Sequence, residues 1–193
     1  PIEQIDLVLL GDVLDIIRST RWLEGEVRPW DDPQSPQLAA TVSNITAEIL
    51  RRNEAALGML RSLAQGSIRL TPATQMGRAA TTIESIPVPV RIHYVVGNHD
   101  WFFHLPGEQY NRLRRQVAVH MGLATETDVP FPHEPFESNE LLQALRRHKV
   151  FARHGDVFDP INFDGVRDAS SLGDVIVVEL LNRFGLEVER RLA

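Results

Sequence analysis

Three short stretches concentrate residues able to hold a divalent cation or to move a proton: "GDVLD" (11–15), "GNHD" (97–100) and "HGD" (154–156). They supply the carboxylates of Asp12, Asp15 and Asp100, the amide of Asn98 and the imidazoles of His99 and His154. Carboxylate, amide oxygen and imidazole form a hard-to-borderline donor set suited to Mn, Mg, Fe or Zn. The chain has no cysteine, so thiolate sites and disulfides are excluded. One bound ion polarises a phosphoryl oxygen; two ions about 3.5–4 Å apart also clamp a hydroxide for in-line attack. Taken singly, each stretch is an ordinary polar turn. The three in order, each behind an apolar run, point to a metal site.

Those residues must be delivered by elements that end at one place. Residues 5–10 form a short, nearly continuous apolar run that suits a strand buried on both faces. Residues 88–96 are a second strand, with Pro87 and Pro89 confining its ladder. Residues 149–153, "KVFAR", read as a third. Helices are expected over 38–63, where apolar residues recur every three or four positions with one wider step, over 109–121, from a Ser138 or Asn139 cap through 147, and over 172–191. Ser171 and Asp174 form a capping box for the last of these. Residues 20–37 and 124–137 read as loops, Trp22 and Trp30 as packing plugs within the first. Strands alternating with helices give an α/β class, in which ligands bind beyond the carboxyl ends of the strands.

The 193 residues fit a single domain spanning 1–193, and 43% hydrophobic content is ordinary for a globular chain. The net charge of −6 argues against a nucleic-acid backbone as partner. No run approaches the roughly 18 apolar residues of a membrane span. No secretory leader pattern opens the chain, so a cytoplasmic location is expected.

The motifs GDVLD, GNHD and HGD resemble those of the calcineurin-like metallophosphoesterases, across strand ends from residue 7 to 156. The resemblance implies a four-layer α/β/β/α sandwich, incomplete in this chain. It implies a phosphate monoester, diester or pyrophosphate as substrate, and two divalent metal ions with attack by a metal-bound hydroxide. Carried over residue by residue, Asp12 bridges both metals, and Asn98 and His154 ligate the second. His99 meets the substrate phosphate, Asp100 orients His99, and Asp15 stands behind the ligands. The family's Asp-x-His and Gly-His-x-His are not in this sequence, which has no histidine after His154. A fragment or a joined set of segments from a longer protein is the favoured reason. The others are a metal-depleted, non-catalytic scaffold and a single weakly held metal. A nuclease on the same fold is a further reading, and His99 stands where the branch cleaving nucleotide-sugar lipid pyrophosphates has Arg.

Further candidates are weaker. Arg18 and Arg21 follow Asp15 closely and could bind phosphate, surface arginines being the plainer reading, and His104 could reach the substrate. His93, His120 and His148 read as structural, Trp101 and Phe102 as wall or core, and His133 carries no assigned role. The segment after 156 lacks EF-hand spacing and reads as a solvated loop, with Asp159 nearest the site.

Overall fold

The computed structural model describes residues 2–81 and 84–192. Strand β1, Ile5–Leu10, pairs in parallel with Val90–Val95, which becomes β4 because two short strands, β2 at Arg69–Leu70 and β3 at Ile86–Pro87, form a separate antiparallel pair. Parallel partners need a long crossover. Here it contains two helices, α1 at Pro36–Arg52 and α2 at Glu54–Ala64. The register sets Ile5 opposite Val90 and Leu10 opposite Val95. Both strands therefore stop at the same level, and Gly11-Asp12 emerges beside Gly97-Asn98.

Two remaining helices are α3, Glu108–Met121, and α4, Asn139–His148. The C-terminal helix comprises α5 (Leu172–Val175), a π-helical stretch (Ile176–Asn182) and α6 (Arg183–Leu192). Ser171 and Asp174 form the reciprocal cap at its start, and Ser138 caps α4 through the Leu141 N–H. The architecture is mixed α/β. No helix among the described residues is long and apolar enough to cross a membrane.

The main core joins the back of the strand ends to the helices. Leu14, Ile16, Ile17 and Trp22 from the segment after β1 pack with Leu38, Val42 and Ile45 of α1, Tyr94 of β4, Phe102 and Phe103, and Leu113 and Val117 of α3. Trp22 stacks on Phe102 at 5.7 Å and donates its indole N–H to the Ile16 carbonyl at 2.9 Å. Trp30, expected as a plug, is instead 41% exposed.

Two expectations about elements are corrected. The helix over 38–63 is broken at Asn53, whose backbone leaves helical geometry (φ −108°, ψ 16°) while its side-chain amide donates to the Ile49 carbonyl at 2.9 Å. A short amide competing for backbone acceptors ends a helix, and the break falls at the wider step in the apolar spacing, between Ile49 and Leu57. The strand over 149–153 does not form. Lys149 takes a left-handed conformation (φ 54°) that closes α4, and the Val150 N–H returns to the Leu145 carbonyl. From His148, beside Asp6, to His154, beside Leu10, the chain then runs along β1 in the same direction. Val150 and Phe151 face outward at 52% and 78% exposure, so this segment lacks the two buried faces of a parallel strand. Ala152 packs inward, onto the cluster of Val8, Val95, Leu141 and Leu145.

Candidate metal centre

Beyond β1, Gly11 turns the chain at φ +80° and Asp12 follows at φ 55°. Beyond β4, Gly97 lies so close to Asp12 that a Cβ there would meet Asp12 Oδ1 at 2.2 Å. A Cβ on Gly11 would in turn strike the Gly97 backbone at 2.7 Å. Only glycine allows this approach, and it brings the two motif loops into contact. The His99 N–H then donates to Asp12 Oδ1 at 2.8 Å.

His154 completes the group from the segment that runs beside β1. Its Nδ1 lies 2.7 Å from the Leu10 carbonyl, an acceptor only, so Nδ1 carries a proton and the ring turns Nε2 toward the other two motifs. That Nε2 is 3.1 Å from Asn98 Oδ1 and 3.5 Å from Asp12 Oδ2. The Asn98 amide is oriented by its other end, where Nδ2 donates to Asn162 Oδ1 at 3.4 Å. The oxygens of Asp12 and Asn98 thus converge on the His154 Nε2. A cation resolves such an arrangement, whether a proton on Nε2 or a metal ion, and the donor set fits a divalent metal. The set contains one amide, and among the described residues no group of three or more His, Cys, Asp or Glu is placed to hold a metal ion.

His99 lies at the edge of this cluster with its side chain 13% exposed. Its Nδ1 is 2.8 Å from Asp15 Oδ1. Burial disfavours a charge on the ring, but the Asp15 hydrogen bond and the charges of Asp15, Asp12 and Asp174 outweigh it and hold its pKa above the ordinary value. The role expected of Asp100 is corrected here. Asp100 is fully buried and accepts from the Tyr94 hydroxyl at 2.5 Å, the Gly97 N–H at 2.6 Å and the Val13 N–H at 3.2 Å. It ties the two motif loops together, and Asp15 is the carboxylate that orients His99. Burial, opposed by the tyrosine bond and reinforced by the Asp12 charge, pushes the Asp100 carboxyl up to about 6.

The other candidates separate into near and far. Arg18 lies beside the cluster, its Nε 3.2 Å from Asp15 Oδ2 and its side chain 66% exposed. Arg21 is engaged by Glu48 and Glu24. His104 is not part of the group, since its ring binds Asp168 at 2.6 Å and faces Glu137 at 3.6 Å. His93 and His148 flank Asp6, and His120 bonds within its own helix. Trp101 and Phe102 lie in the core, stacked at 4.2 Å.

Sequence reasoning missed Asn162. It accepts from Asn98, and its own amide donates to Asp159 Oδ2 at 2.7 Å, so the loop read as solvated fixes which end of the Asn98 amide faces His154. The one signal in the sequence was the proximity of Asp159 to His154. No family model matches the chain, and neither a curated protein nor a solved structure matches it significantly.

Proposed function

We propose that this chain contributes a metal position and a proton-donating histidine to a metal-dependent phosphoric ester hydrolase of the calcineurin-like metallophosphoesterase kind. The observation that carries the reading is the convergence of Asn98 Oδ1 and Asp12 Oδ2 on His154 Nε2, at 3.1 and 3.5 Å. On this reading Asp12, Asn98 and His154 would hold a divalent cation, and Asp12 would also contribute to a second. When bound, such an ion supplies Lewis-acid polarisation of a phosphoryl oxygen. The four-layer sandwich belongs to the same proposal.

The chain's own residues supply the remaining chemistry. Asp15 accepts from His99 Nδ1, which fixes the ring and favours its protonated form. His99 then holds a proton at Nε2, available to a leaving alkoxide or to neutralise charge on a phosphate. Arg18, exposed and adjoining Asp15, offers a second cation to the phosphate. Asp100 keeps the backbone that carries Asn98 and His99 against the start of the Asp12 loop.

Mn-dependent hydrolysis of an aryl phosphate ester, measured on the protein and on its His99→Ala and Asp12→Asn variants, tests this. Both variants are expected to lose at least about 100-fold in kcat, within the range that a general acid contributes. A parent protein that neither binds Mn nor cleaves the ester overturns the reading.

A further inference from the structure

Asp12, Asn98 and His154 lie on separate segments, and two of those segments meet through one side chain that the proposed chemistry does not use. The Arg167 side chain is 9% exposed. Its Nη1 donates to the Gly97 carbonyl, immediately before Asn98, at 3.3 Å. Its Nη2 donates to Asp156 Oδ2, two residues after His154, at 2.5 Å. The Asp156 side chain is fully buried. His133 Nε2 faces both Arg167 Nη2 and Asp156 Oδ1, and the Arg167 guanidinium lies over the Phe163 ring at 4.6 Å. A planar fork with donors on both arms can hold a carbonyl and a carboxylate at a fixed separation.

Resting on the metal-site reading above, we infer that Arg167 positions that site, clamping the Gly97 carbonyl to Asp156 so that Asn98 Oδ1 and His154 Nε2 face each other at bonding distance. Arg167 has no part in the chemistry and touches none of the three donors. Its effect is on where two of them stand. Groups behind metal ligands that fix their orientation typically change affinity about 10–100-fold when lost. Arg167→Lys keeps a charge opposite Asp156 but has one donor head in place of a fork, so it separates packing from clamping.

Mn²⁺ binding is measured by titration calorimetry on the parent, Arg167→Lys, Arg167→Met, Asp156→Asn and the Arg167→Met/Asp156→Asn double variant, with thermal melting of each. Arg167→Lys is expected to melt close to the parent yet bind Mn²⁺ about 10-fold more weakly. The double variant is expected to bind no more weakly than the worse single one, as for two residues acting as one clamp. A folded Arg167→Lys protein that binds Mn²⁺ as the parent does overturns the inference and leaves the metal site standing, even if Arg167→Met fails to fold. A parent that binds no Mn²⁺ overturns the metal-site reading itself.

Discussion

At the scale of single residues, adjacency in sequence and adjacency in space part company at His99. The types in GNHD read as ligand and proton donor, and of the residues so grouped Asn98 and His154 do meet across 3.1 Å. The partner of His99 was not legible. Asp100 is its chain neighbour, yet its side chain turns inward to Tyr94, while Asp15 arrives from the loop after β1. A turn sends consecutive side chains in different directions, and nothing in four letters records which. Asp100→Ala orphans the Gly97 and Val13 amides and the Tyr94 hydroxyl in a buried place. It is expected to lower stability by about 3 kcal/mol, read from the midpoint of a urea unfolding curve. A loss under about 0.5 kcal/mol, the range of ordinary surface substitutions, would show that these donors find other partners.

At the scale of elements, the strand ends were readable because apolar runs stop abruptly at glycine, and β1 spans the expected residues 5–10. The run over 149–153 misled because an apolar stretch states hydrophobicity and not which faces are covered; Phe151 is left at 78% exposure. The helix break at Asn53 needed a side-chain-to-backbone bond that periodicity does not encode. Elements are also stapled by titratable groups away from the strand ends. His104, in a short helical turn at Trp101–His104, faces Glu137 in another at Pro135–Glu137. Burial disfavours the charge on His104, but its bonds to Glu137 and Asp168 raise its pKa above the ordinary 6.5. Burial alone would raise that of Glu137. The His104 bond and the His133 and Glu134 N–H groups bring it down to about 2 instead. The raised histidine stabilises fully below pH 6.5, and that contribution is lost as pH rises through its folded value. The lowered glutamate stabilises above its ordinary value of 4.5, and that contribution is lost on acidification toward pH 2. The staple is therefore strongest between these two ordinary values. The groups are partly exposed and solvent screens them, so the contribution is about 1 kcal/mol, or about 2 °C in Tm. His104→Gln should remove that much of the decline in Tm between pH 6 and 8, as measured by melting curves in matched buffers. An unchanged profile would assign the decline to other groups.

At the scale of the whole molecule, one core runs from Leu14 to Val178, and a small second cluster holds Val95, Leu141 and Leu145. The first ties α1, α3, β4 and the π-helical stretch together. The second fastens α4 and, among the described residues, has two partly buried hydrophobics, Val8 and Ala152, packed against it. Local opening follows the number of buried apolar contacts. Amides of α4 are therefore expected to exchange with deuterium at least about 10-fold faster than those in the centre of α3, measured by native-state hydrogen exchange. Equal protection would place both helices in one cooperative unit. The α4 cluster also bounds the segment leading to His154, so its opening would loosen His154 before Asp12 and Asn98.

The backbone of Asp12 has a consequence for evolution in the test tube. A non-glycine residue at φ 55° is held in a conformation that most L-residues resist, and asparagine adopts it more readily than most. Asp12 also adds its charge to those of Asp15 and Asp174 around His99. Selection for thermal tolerance alone should accordingly favour the Asp12→Asn substitution. That change can keep the acceptor for the His99 N–H, relaxes the backbone and removes a negative charge beside buried Asp100. Asp12→Asn is expected to melt at or up to about 3 °C above the parent while, on the proposed reading, it loses ester hydrolysis, an exchange of robustness for function. An aspartate kept at this position under such selection would mark a requirement that folding does not impose.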